Sequence, residues 1–170
     1  MHRDLKPANI LIAPVSQTLK LTDFGLAKRF HRGGDLADGA DVHRLVRTHT
    51  CNIGTPRYSA PEVLASLSAG EHTSHSAVYT EKADVYSAAL IIWYLLTGQR
   101  PHCKVRVNPE ARPEVAPARR RWAELAGLLE RMWAHDAEGR PSAGESAGAV
   151  RGMPVQAAGC GLGGERCSVQ

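Results

Sequence analysis

A chain of 170 residues is long enough for one ordinary domain with its own core and not comfortably for two. Lys plus Arg number 21 against 17 Asp plus Glu, and a surplus of +4 is too small to point to a nucleic-acid partner. The longest apolar run, Ala88 to Leu96, is about half of the roughly 20 residues that a membrane-spanning helix needs, which excludes membrane insertion through that route. With 43% hydrophobic residues the composition is globular, and 24 Ala and 16 Gly against 9 aromatics predict a core built from small side chains. Cys51, Cys103, Cys160 and Cys167 fall at no metal-ligand spacing and follow no signal-peptide pattern, so they read as reduced thiols of a cytoplasmic or nuclear protein.

Ile10–Ile12 and Leu19–Leu21 are short apolar or alternating runs joined by a turn-rich stretch, and they predict a small antiparallel hairpin. Residues 31–49 are polar, carry Gly33-Gly34 and have no period, which predicts a loop. Ala60-Pro61-Glu62 opens a short helix through about Leu67, with proline at a tolerated first-turn position. A second helix is predicted from Glu81 to about Thr97, with Thr80 as N-cap and Gly98 as stop. It is apolar almost all round after Ser87 and therefore central and buried. Four prolines between Pro101 and Pro117 forbid a continuous helix there. Trp122, Leu125, Leu128, Leu129, Met132 and Trp133 recur at helical spacing, and Ser142 with Glu145 predicts a capping box for a last short helix. The stretch from 151 to 170, with Gly159 to Gly164, has no period and reads as a disordered tail.

The first nine residues hold an acid, two cations and an amide directly before the hairpin, and the far strand of that hairpin runs into Asp23-Phe24-Gly25. Because a hairpin returns its ends to one edge, Asp4, Lys6, Asn9 and Asp23 are expected to converge. That set offers a carboxylate to orient a hydroxyl, a cation for a phosphate and two oxygen ligands for a hard divalent ion. It suits phosphoryl transfer, in which positioning and charge neutralisation carry most of the catalysis.

His2-Arg3-Asp4-Leu5-Lys6-Pro7-Ala8-Asn9 and Asp23-Phe24-Gly25 resemble the catalytic and metal-binding loops of eukaryotic protein kinases. Gly54-Thr55-Pro56-Arg57-Tyr58-Ser59-Ala60-Pro61-Glu62 resembles the substrate-docking end of the activation segment in that family. Asp84-Val85-Tyr86-Ser87 and Arg140-Pro141-Ser142 continue the series in order. The resemblance covers residues 1–150 and implies an α+β fold, of which this chain is the mainly helical carboxy-terminal lobe with one small hairpin. It further implies a protein serine/threonine kinase that transfers the γ-phosphate of ATP, with Mg2+, to protein substrates. Lys6-Pro7-Ala8 and Gly54-Thr55-Pro56 resemble the serine/threonine type. Tyr86-Ser87 and Met132-Trp133 resemble its tyrosine-kinase-like group.

Position by position, the resemblance implies that Asp4 takes or orients the proton of the acceptor hydroxyl, Lys6 contacts the transferring phosphate, and Asn9 with Asp23 holds magnesium. Gly25 is expected to lend the backbone freedom beside Asp23. Arg3 is expected to pair with a phosphate on the activation loop, with Thr48 and Thr50 as acceptors, and Thr55 to position Lys6 and Asp4. Glu62 with Arg140 implies an internal ion pair, and Asp84 implies support of the catalytic loop from below.

The sequence departs from the family where Ala88-Ala89 replaces a bulkier pair. It also contains no Gly-rich nucleotide-covering loop and no strand lysine for the phosphates, and Met1 leads straight into the polar triplet. The expectation is therefore an amino-terminal lobe missing upstream, with negligible activity from these residues alone. The alternative reading is a non-catalytic kinase-like binding or scaffold module.

Overall fold

The computed structural model describes residues 1–16, 18–27, 56–68, 80–101, 111–119 and 122–154. A single turn of 3-10 helix at Pro7–Asn9 leads into β1 (Ile10–Ile12), which pairs antiparallel with β2 (Leu19–Leu21) in the register Ile10↔Leu21, Leu11↔Lys20 and Ile12↔Leu19. The Ala13 N–H donates to the Thr18 carbonyl at 2.9 Å and closes the connection. A second 3-10 turn, Phe24–Leu26, follows β2.

Five helices make up the rest of the described chain: α1 (Pro61–Ser68), α2 (Lys82–Thr97), α3 (Ala116–Arg119), α4 (Ala123–Met132) and α5 (Ala143–Gly152). The two short strands at one end and the helices elsewhere make an α+β arrangement. Among the described residues no helix is long and apolar enough to cross a membrane.

Helix α2 is the axis of the core. Val85, Tyr86, Ala89, Leu90, Ile91 and Trp93 are all buried on it, and they cover more than one face, as the apolar run from Ala88 predicts. Leu128, Leu129 and Met132 of α4 pack on α2 with Trp133, and Tyr58 and Ala60 fill the space ahead of α1. Ala89 is fully buried and Ala88 half-buried, so this pair lies in the core with only methyl groups to contribute. The indole Nε1 of Trp93 donates to the Glu114 carbonyl at 2.9 Å, which ties α2 to the stretch that leads into α3.

The helix ends follow local chemistry. α2 begins one residue later than the sequence predicts, with Glu81 rather than Thr80 at the N-cap and no side-chain cap bond; the Thr80 hydroxyl, one residue further out, accepts the Lys82 N–H at 3.3 Å. Gly98, at φ 69°, ends it in the left-handed region that glycine occupies without penalty. α3 rises inside the proline-rich stretch, with Pro117 in its first turn where no intrahelical donor is needed. α5 carries the complete capping box: Ser142 Oγ accepts the Glu145 N–H at 3.2 Å, and a Glu145 carboxylate oxygen accepts the Ser142 N–H at 2.6 Å. It runs to Gly152, past the boundary expected at residue 150. The polar loop at 31–49 and the glycine-rich part of the tail lie outside the described residues.

Candidate active site

The residues preceding β1 are fixed from below by one carboxylate. Asp84, in the first turn of α2, accepts the His2 N–H at 2.6 Å on one oxygen and the Arg3 N–H at 2.9 Å on the other. Arg3 itself adopts a left-handed backbone, φ 74°. That conformation costs a non-glycine residue about 1–2 kcal/mol, which charge-assisted hydrogen bonds of about 1.5–3 kcal/mol each offset.

His2 is the second tie. Its Nε2 lies 2.9 Å from the Thr22 carbonyl, which can only accept, so Nε2 carries the proton. Nδ1 then has a lone pair for the Asp4 N–H, at a longer 3.4 Å. The ring also packs at 5.0 Å, tilted, against Phe24. One imidazole thus joins the loop holding Asp4 to the end of β2.

Asp4 is 8% exposed. One of its carboxylate oxygens accepts Lys6 Nζ at 2.5 Å and Asn9 Nδ2 at 3.3 Å, and Asn9 Nδ2 also donates to the Asp4 carbonyl at 2.9 Å. With its amide nitrogen turned to Asp4, Asn9 keeps Oδ1 as the oxygen for another partner. The Asn9 carbonyl accepts the Thr22 N–H at 3.0 Å, extending the hairpin ladder by one step and drawing Asp23 beside this cluster.

Asp23 is exposed and left-handed, φ 62°, a region that a short polar side chain tolerates. The conformational freedom expected at Gly25 is therefore spent at Asp23, because Gly25 is not in the positive-φ region. A Cβ at Gly25 would stand 3.4 Å from an Asp23 carboxylate oxygen, an ordinary van der Waals contact.

Among the described residues no group of three His, Cys, Asp or Glu could hold a metal ion. Asn9 Oδ1 and the Asp23 carboxylate instead offer two hard oxygens. That set fits magnesium, which keeps waters and takes substrate phosphate oxygens, and does not fit a metal needing a full protein cage.

The remaining sequence-predicted residues fall into three places. Arg3 Nη1 reaches the Leu26 carbonyl at 3.4 Å. Thr48, Thr50 and Thr55 lie outside the described residues. Glu62 and Arg140 form a bidentate pair at 2.7 and 2.9 Å, with the Arg140 side chain fully buried. Arg140 also donates to the carbonyls of Ala134 and His135, and to that of Lys82, whose Nζ returns a bond to the Arg140 carbonyl.

Sequence reasoning gave no role to Tyr86 or Arg112. The Tyr86 ring has the Arg140 guanidinium 5.1 Å and the Arg112 guanidinium 5.3 Å from its centroid. Burial pushes the Tyr86 hydroxyl above its ordinary pKa, against the pull of Arg112 and Arg140, and among the described residues that hydroxyl has no hydrogen-bond partner. Nor was His2 marked as a link: its partners come from β2 and α2, far along the chain, and only the polar triplet hinted at it.

Comparison with known proteins places this arrangement. The family model for the protein kinase domain matches residues 1–149. The chain is 33% identical over 153 residues to the serine/threonine-protein kinase STY46 of Arabidopsis thaliana, covering 85% of this chain and 22% of that protein. It is 34% identical over 158 residues to the receptor-interacting serine/threonine-protein kinase 4 of Mus musculus, covering 84% and 17%. With the serine/threonine-protein kinase PkaA of Streptomyces coelicolor it shares 34% over 174 residues, covering 95% and 26%. The chain thus spans about a quarter or less of the length of these relatives. A matched model over nearly the whole described chain, laid on a hairpin that brings Asp4, Asn9 and Asp23 to one end, shows that the chain belongs to the protein kinase domain family.

Proposed function

We propose that this chain is the acceptor-side and metal-binding part of a protein serine/threonine kinase. The observation that carries this is the buried Asp4 carboxylate, held by Lys6 and Asn9, with Asp23 drawn alongside by the hairpin ladder. The similarity to kinases named for serine and threonine supports the acceptor type, as do Lys6-Pro7-Ala8 and Gly54-Thr55-Pro56. Tyr86-Ser87 and Met132-Trp133 ahead of Arg140 support the tyrosine-kinase-like group of such enzymes.

In this reading Asp4 accepts the proton of a Ser or Thr hydroxyl. The hydroxyl oxygen forms the new bond to the γ-phosphorus of ATP as the bond to the departing ADP oxygen breaks. Lys6 has three N–H donors, so it can hold Asp4 and a phosphate oxygen together. Asn9 Oδ1 and Asp23 would hold Mg2+, which when bound supplies the positive charge that neutralises the phosphates. Arg3, whose side chain reaches Leu26, would pair with a phosphate on Thr48 or Thr50, and Thr55 would position Asp4 and Lys6. Protein substrates lie along the segment from Thr55 to Glu62.

The test is Mg2+-dependent binding of a fluorescent ATP analogue. Binding is expected to weaken strongly in Asp23→Ala and Asn9→Ala and to persist in Asp4→Asn. Phosphoryl transfer is expected to be negligible from residues 1–170 alone and to depend on Asp4 once a nucleotide-covering segment is supplied in cis. Nucleotide binding indifferent to Mg2+ and to Asp23 would overturn the reading. Protein partners retained without nucleotide and unaffected by Asp23→Ala would put the scaffold alternative in its place.

A further inference from the structure

Beside the segment ahead of α1 lie two arginines for which the described residues supply no counter-charge. Arg57 Nη1 donates to the Pro101 carbonyl, which brings its guanidinium against the chain one residue from Arg100. Arg57 is half-buried and Arg100 exposed. Among the described residues the ion pairs are Lys6–Asp4, Arg119–Glu130 and Arg140–Glu62, and neither Arg57 nor Arg100 takes part in one.

Tyr58, next to Arg57 in the chain, feels both charges. Burial and the neighbouring Tyr94 raise its hydroxyl pKa, and Arg57 and Arg100 pull it down. Among the described residues no acid enters that balance. The backbone under this patch is fixed: Ser87 Oγ, on buried α2, donates to the Tyr58 carbonyl at 2.7 Å. The bond to Pro101 occupies one donor of the Arg57 fork, whose guanidinium carries four more. A half-buried and an exposed arginine on an anchored backbone can receive carboxylate or phosphate oxygens, which the planar fork matches in pairs.

We propose that Arg57 and Arg100 select acidic protein segments, so that the serine or threonine modified is flanked by Asp, Glu or an already phosphorylated residue. This rests on the reading above, in which the segment ahead of α1 faces the protein substrate. It adds a substrate class which the family resemblance does not supply: two cations on this face favour anionic neighbours and disfavour basic ones.

The experiment is fluorescence anisotropy of the purified chain with labelled serine peptides. One set carries Glu around the serine, a second phosphoserine, a third Gln at the same positions and a fourth Lys. The Glu and phosphoserine peptides are expected to bind about five-fold tighter than the Gln peptide, the size of effect that two exposed ion pairs supply. That margin should shrink in high salt and close to within about two-fold in Arg57→Ala/Arg100→Ala. Arg57 also braces Pro101, so Arg100→Glu alone provides a variant that leaves this bond intact, and it should turn the preference toward the Lys peptide.

Equal binding of the Glu and Gln peptides, or a margin that survives both variants, overturns the proposal. So does tight binding of a DNA oligonucleotide through the same two arginines, which would mark a patch for any polyanion. Binding of the ATP analogue through Asp23, measured in parallel, separates the outcomes. If it is intact while the peptides go undiscriminated, only the substrate class falls. If nucleotide and peptides both fail to bind, the kinase reading falls with it.

Discussion

The helical body and the hairpin end of this chain are held by different forces. Around α2, stability comes from burial: Tyr86, Ala89 and Leu129 are wholly removed from solvent, and Arg140 is locked beneath them by Glu62 and three carbonyls. The hairpin shows the reverse, with Ile12 and Leu19 each 67% exposed and Phe24 59% exposed. A two-stranded sheet with apolar side chains in solvent has little stability of its own. It is kept in place by polar ties: Asp84 to the His2 and Arg3 amides, His2 to Thr22, and Asn9 to Thr22. The candidate active site sits on the polar side of this division. Competence for chemistry and global stability should therefore be separable by mutation.

The largest loss is expected from Glu62→Ala. It strands a fully buried guanidinium, and breaking a buried pair from one side costs about 3–5 kcal/mol. Denaturant titration should show a large fall in midpoint, or no folded protein. A shift typical of a surface change would mean that the carbonyls alone satisfy Arg140.

Next comes a pair of like substitutions in the two regions. Leu129→Ala in the body should cost about 2–5 kcal/mol through lost burial and a cavity. Leu19→Ala in the hairpin should stay within about 0.5 kcal/mol. Comparable costs at the two positions would erase the contrast.

Asp84→Asn sits at the boundary. An asparagine amide can accept one of the two N–H groups but must turn its own NH2 toward the other, so at least one charge-assisted bond of about 1.5–3 kcal/mol is lost. Because the bond orders the loop carrying Asp4, Mg2+-dependent binding of the ATP analogue should fall more than the thermal midpoint does. If stability collapses as in Leu129→Ala while residual binding is normal, the loop belongs to the core and the two regions are not independent.

What the sequence made legible follows the same division. Local patterns announced the body: the apolar run closed by Gly98, the stripe from Leu125 to Met132, and Ser142 with Glu145. The hairpin was also readable, from two short runs and the turn residues between them. The polar ties were not, because His2 meets Thr22 and Asp84 across 20 and 82 residues and no local period encodes such partners. Asp84 came into view only by family resemblance. Gly25 misled for a related reason: a glycine beside an acid suggests that the glycine bends, whereas Asp23 takes the left-handed turn. The Arg57 bond to Pro101 had no sequence signal at all, since arginine fits a solvated surface equally well.

The smallest effect expected is also the most specific to pH. Glu145 is fully exposed, yet hydrogen bonds from the backbone and side chain of Ser142 hold its carboxyl below the ordinary value of 4.5. A carboxyl that binds its proton less readily when folded adds stability that is complete above 4.5 and is lost as pH falls through the lower folded value. Glu145→Gln keeps an acceptor for the Ser142 N–H, since glutamine also serves in a capping box, but it removes the titration and the negative charge at the α5 N-terminus. Wild type should thus exceed the variant in thermal midpoint near neutral pH, and the two should converge as the pH is lowered below 4.5 and through the folded value. A difference that stays constant across that range would mean that the carboxylate charge contributes nothing and that the cap works through hydrogen-bond geometry alone.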